Sequence, residues 1–104
     1  MRIDEVQKKI RKFVEERNWN ESHNPKNLAM SISIESAELM EIFQWKTLEE
    51  SKDIKNTDEF EHFKEELADV LIYCISMTNN LELDIIDIIE EKMVKNAKKY
   101  PVEK

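Results

Sequence analysis

The chain has 104 residues, with 16 Lys+Arg against 23 Asp+Glu for a formal net charge of −7, and it contains no glycine, two prolines and one cysteine. These counts exclude glycine-dependent phosphate loops, an internal disulfide and a cysteine-based zinc site, and the acidic balance argues against a nucleic-acid groove binder, which needs a basic face. No apolar run reaches the ~18 residues of a membrane span and the opening MRIDEVQKKI lacks the apolar centre of a secretion signal, so the expectation is a soluble, cytoplasmic protein with a single domain over residues 1–104.

The missing glycine, the rare proline and the 38% charged content predict an all-α fold of four helices. The first spans about Ile3 to Asn18, with Ile3, Val6, Ile10, Phe13 and Val14 on one stripe. After a break at residues 19–24, Asn24-Pro25 starts the second, with Asn as N-cap and proline where its missing N–H is harmless. This helix runs to about Gln44 on Leu28, Ala29, Ile32, Leu39, Ile42 and Phe43, widened by Met30, Ile34, Ala37 and Met40. The polar connection from Lys46 to Thr57 contains a capping-box pattern at Thr47-Leu48-Glu49-Glu50, and Asn56-Thr57-Asp58-Glu59 offers another to begin the third helix, ending near Asn79. The centre of that helix, Leu67 to Met77, is apolar nearly all round and needs cover on more than one side, which predicts an oligomer. Asp84 caps the fourth helix, whose buried side is expected to be Ile85, Ile86, Ile88, Ile89, Met93 and Val94, and Tyr100-Pro101 ends it.

Two pairs of acids carry the chemistry. Glu35-Ser-Ala-Glu38 lies in the second helix and Glu66-Leu-Ala-Asp69 in the third, and three-residue spacing puts each pair on one helix face. Both sit among apolar neighbours, where carboxylates held together require compensating cations. An all-oxygen donor set suits Mg²⁺ or Mn²⁺ rather than zinc. If the two helices pack antiparallel, the pairs face one another. The competing reading is solvated helix faces in an acid-rich chain, where ExxE spacing also arises at Glu38/Glu41. Glu59-Phe-Glu-His62 has the ExxH form of di-iron bundles, but such sites need two of these motifs plus two further glutamates, and the only other histidine, His23, has Asn20 three before it.

Trp19 and Trp45 flank the second helix, with His23 near the first and Tyr73 four residues after Asp69. Indole faces stack nucleobases, although both tryptophans also suit plain packing at helix ends. Lys92, Asn96 and Lys99 share a face of the last helix beside Tyr100 and could meet phosphate oxygens, or the lysines could simply complement that helix's negative end.

Taken together, RNWNESHNPKNLAMSISIESAELMEIFQW, then EELADVLIYCI, then KMVKNAKKYP resemble the all-α nucleoside triphosphate pyrophosphohydrolases of the MazG-like superfamily, and within it the small enzymes related to the dCTP pyrophosphatases. The resemblance covers about Phe13 to Pro101 and rests on ExxE, a variable gap and ExxD, with HNPKNL before, FQW after and NAKKYP at the end. It implies a four-helix subunit assembled as a homodimer or homotetramer. The implied reaction is Mg²⁺-dependent hydrolysis of a nucleoside triphosphate, dCTP or a modified cytosine dNTP among them, to the monophosphate and pyrophosphate, with Mn²⁺ able to substitute. It assigns Glu35, Glu38, Glu66 and Asp69 to the metal, with Glu35 or Glu38 activating the water. Trp19, His23, Trp45 and Tyr73 are assigned to base and sugar, and Asn96, Lys99 and Tyr100 to the phosphates. A helical interaction module without catalysis, or a nucleotide sensor, are the alternatives.

Overall fold

The computed structural model describes residues 1–103. Its order is α1 (Ile3–Glu16), α2 (Pro25–Phe43), a one-turn α3 (Leu48–Lys52), a 3-10 turn (Ile54–Asn56), α4 (Phe60–Asn80) and α5 (Ile85–Lys99). The expected four helices are present, and α3 is the extra turn that the Thr47 capping box marks. Thr47 Oγ1 accepts from the Glu50 N–H at 3.1 Å and the Glu50 carboxylate accepts from the Thr47 N–H at 2.9 Å.

Local signals set most of the ends. Asn24 accepts the Asn27 N–H at 2.9 Å, and Asp84 accepts from Ile86 and Asp87 at the start of α5. The second expected capping box does not form. Its cap residue Asn56 lies inside the 3-10 turn and donates its side-chain amide to Asp53 Oδ1 at 2.7 Å, while the Thr57 hydroxyl donates to the Ile54 carbonyl at 2.7 Å, so α4 begins at Phe60 without a side-chain cap. Two helices end in a left-handed residue without any glycine, at Asn18 (φ 57) and Glu82 (φ 55). Each closes with paired bonds of the Schellman type: Asn18 to Glu15 and Trp19 to Val14 after α1, Glu82 to Asn79 and Leu83 to Thr78 after α4.

The body is α2 packed on α4, with α1 against α4. Phe43 at the end of α2 meets Phe63 at the start of α4, at 5.7 Å between centroids in edge geometry, while Asn80 at the far end of α4 donates to the His23 carbonyl just before α2. The pair is therefore antiparallel. Lys46 and Glu59 form an ion pair that ties the two helices at one end, and Gln7 of α1 bonds Thr78 and Asn79 at the other. The core is small: Val14, Leu28, Ile42 and Ile75 are its buried apolar residues.

Two expectations about burial meet the structure differently. First, α5 packs closely against no other helix, and Ile86, Ile88, Ile89, Met93 and Val94 are all exposed. The stripe exists, but among the described residues no other helix packs closely over it. Second, the apolar centre of α4 is covered only in part: Ile75 is buried, with Ser76 and Thr78 beside it, while Leu67, Leu71 and Ile72 are exposed. The projecting α5 shows in the radius of gyration, 16.7 Å, against about 13 Å for a compact chain of this length.

Candidate active site

Leu28, Glu35 and Ile42 are each seven residues apart on α2, so Glu35 lies on the same stripe as two buried apolar residues and is carried inward against α4. On α4, Glu66, Asp69, Tyr73, Ser76 and Asn80 share one stripe by the same rule. Antiparallel packing brings the two stripes together. Glu35, Glu38 and Glu66 each place a carboxylate oxygen within 4.8 Å of the other two. Asp69, one methylene shorter and exposed, stays outside this trio, yet its charge is felt at Glu35.

The cluster is electrostatically unsatisfied. Glu35 Oε2 and Glu66 Oε2 are both buried without a hydrogen-bond partner. Burial, a hydrogen bond with Glu38 and the charges of Glu38, Asp69 and Glu66 together push the Glu35 carboxyl up from 4.5 to about 7. Buried, orphaned carboxylate oxygens grouped this closely fit a hard divalent cation, which would bond those oxygens and remove the repulsion.

A pH dependence follows from the shift. Between pH 4.5 and 7 the folded chain holds a proton on Glu35 that the unfolded chain has released, so stability falls as pH rises through this window. Without metal, the melting temperature contributed by this group should be highest below pH 4.5 and should decline through pH 7, a slope that Glu35→Gln removes. Cation binding requires the deprotonated form. At about a hundredfold excess over Kd, Mg²⁺ should raise the melting temperature by roughly 10 °C at pH 8 and far less at pH 5. Thermal melts across pH with Mg²⁺ or EDTA read both effects, and equal Mg²⁺ shifts at the two pH values would count against a carboxylate site.

Beside the acids lies a cleft of about 370 Å³ whose walls include Phe13, Trp19, His23, Asp69, Tyr73 and Ser76. The Schellman turn after α1 positions Trp19. Its ring stacks on His23 at 5.6 Å and meets Phe13 edge-on at 5.7 Å, and His23 lies 6.2 Å from Tyr73. Trp19, His23, Tyr73 and Asp69 thus share one wall system, and Asp69 joins cleft to acid cluster.

The remaining expected site residues are not brought here within the chain. Trp45 is 87% exposed at the opposite end of α2 from Trp19, and the 19 residues of that helix span about 28 Å at 1.5 Å per residue. A slot bracketed by both indoles of one chain is therefore not what the fold builds. Asn96, Lys99 and Tyr100 are exposed on and after the projecting α5.

His62 is a neighbour the ExxH comparison left unplaced. Its Nε2 lies 3.2 Å from Glu66 Oε1, while Glu59, its partner in that motif, is paired with Lys46. The readable signal was the four-residue spacing of His62 and Glu66.

Comparison with known proteins bears on the family and the fold. The MazG-like family model matches residues 30–104. The chain is 33% identical over 101 residues to dCTP pyrophosphatase 1 of Rattus norvegicus, covering 96% of this chain and 59% of that protein. Against dCTP pyrophosphatase 1 of Homo sapiens it is 33% identical over 100 residues, covering 95% and 59%. It therefore spans less than two thirds of the length of these curated relatives. A crystal structure of a pyrophosphatase from Archaeoglobus fulgidus superposes with a TM-score of 0.87 at 42% identity, covering 96% of this chain and 93% of that one.

Proposed function

The chain belongs to the MazG-like family, and from that premise we propose that it is a Mg²⁺-dependent nucleoside triphosphate pyrophosphohydrolase, cleaving a (d)NTP to the monophosphate and pyrophosphate in a house-cleaning role. The observation that carries the reading is the meeting of Glu35, Glu38 and Glu66, two of them with orphaned buried oxygens, beside an aromatic cleft. The names of the relatives support the activity, and a cytosine deoxynucleotide is the substrate they favour.

Glu35, Glu38, Glu66 and Asp69 would hold the metal. When bound, the divalent ion supplies positive charge for the phosphate oxygens. Trp19, His23 and Tyr73 hold base and sugar in the cleft. A water oxygen attacks the α-phosphorus, the bond from that phosphorus to the bridging α–β oxygen breaks, and pyrophosphate leaves with the electron pair. Glu35 accepts the water's proton. We assign Trp45, Asn96, Lys99 and Tyr100 to a nucleotide held by a second copy in a homodimer or homotetramer, because Trp45 stands at the opposite end of α2 from Trp19 and α5 packs closely against no other helix. No helix among the described residues is long and apolar enough to cross a membrane.

Incubation with dCTP and the other dNTPs, with product analysis, tests the reading. The expected products are the nucleoside monophosphate and pyrophosphate, formed only with Mg²⁺ or Mn²⁺. Orthophosphate as the primary product would identify a phosphatase instead, and tight nucleotide binding without turnover would identify a sensor.

A further inference from the structure

Resting on the pyrophosphohydrolase reading, we infer that Ser76 is a specificity-determining residue, whose hydroxyl reads the hydrogen-bonding edge of the nucleobase at the inner end of the cleft, together with His23.

Ser76 is 5% exposed, and its Oγ is buried with no hydrogen-bond partner. A serine inside a helix ordinarily turns its hydroxyl onto a carbonyl of the preceding turn. Thr78, two residues on in the same helix, does so, donating to the Ile75 carbonyl at 2.7 Å. Ser76 does not. His23 Nδ1 is likewise buried and unpartnered, and both side chains line the same cleft. Two orphaned polar atoms on residues that line one cleft are costly in the empty protein, and a ligand that drew both into hydrogen bonds would remove that cost.

Position on α4 supports this assignment. Ser76 lies seven residues beyond Asp69 on one stripe, a rise of about 10 Å. A nucleotide with its α-phosphate at the acids and its ring against Trp19 and Tyr73 directs its base edge towards Ser76. The cleft is otherwise walled largely by Ile10, Phe13, Val14 and Ile72. In such a site the few polar groups fix orientation and choice. A hydroxyl both donates and accepts, and a neutral imidazole offers one donor and one acceptor. Together they can bond a nucleobase edge, which presents a donor next to an acceptor in an order that differs from base to base. Stacking alone cannot make this choice, since every base has a π-face.

The test compares the wild-type protein with Ser76→Ala and the near-isosteric Ser76→Cys, a weak donor, measuring pyrophosphate release from dCTP, dTTP, dUTP, dATP and dGTP with Mg²⁺. For the preferred substrate, both variants should raise KM about tenfold, the worth of one lost hydrogen bond, with kcat changed about twofold or less. The ratio of kcat/KM between the preferred and the next-best base should shrink in step. Melting temperature should hold or rise, because an unpartnered polar atom is gone, and the Mg²⁺-induced thermal shift should be unchanged. Unaltered base ratios in Ser76→Ala would overturn the inference. So would a uniform loss on every base, or wild-type ratios in Ser76→Cys, either of which would make Ser76 a packing residue. A wild-type protein that releases pyrophosphate from none of the five would sink the underlying reading, and this inference with it.

Discussion

Glu38→Ala should reduce pyrophosphate release by roughly 10²–10³-fold or more, the scale of losing one charge-stabilising group from a transition state, while helical content is kept. Glu38 is exposed, so its removal leaves no cavity. It also takes away a negative charge that raises the proton affinity of Glu35, and the metal-free protein should melt at the same temperature or higher. Lower activity with equal or higher apo stability separates a working carboxylate from a structural one. Asp69→Ala should behave in the same direction. Near-normal turnover in both variants, with Mg²⁺ present, would remove the acids from the mechanism.

Ile89→Asp should convert the protein from a dimer or tetramer into a monomer. In an isolated subunit this change is nearly silent, because Ile89 is 47% exposed and surface substitutions stay within about 0.5 kcal/mol. If a second copy covers the apolar stripe of α5, a buried unpaired carboxylate costs several kcal/mol and weakens association by more than about 100-fold. Sedimentation of both proteins at micromolar concentration reads the difference. A wild-type monomer would mean that the exposed faces of α4 and α5 are not an assembly surface. Activity should fall with dissociation, since Trp45, Asn96, Lys99 and Tyr100 are assigned to a neighbouring subunit's nucleotide.

What could be read from the sequence was local. Asn24-Pro25, the Thr47 box and Asp84 each act within one turn, so their residue patterns predict the helix starts without tertiary information. The pattern at Asn56 failed because that residue is taken into the 3-10 turn, where its side chain bonds back to Asp53 instead of capping α4. The acid pairs were legible as spacing, and the burial of Glu35 was available in its seven-residue distance from Leu28 and Ile42. The exclusion of Asp69 from the trio was not legible, because it depends on side-chain reach between two helices. The orphaned state of Ser76 was hidden for a similar reason: periodicity places the side chain inward but does not say where a hydroxyl points. The free face of α5 lies beyond intrachain reasoning, since an apolar stripe looks the same whether its own chain or another covers it.

The corner between α4 and α5 has a kinetic meaning. Glycine at a left-handed Schellman position would relax the turn and let the following helix swing. Glu82 stands there instead, at φ 55, and a side chain with a β-carbon narrows the angles available to the next segment. The bonds from Glu82 and Leu83 back into α4 hold that setting. The last helix is thus aimed before it meets anything. In an assembly through α5, less rotational freedom would be lost on encounter, and a larger share of collisions between two chains would begin in a productive orientation.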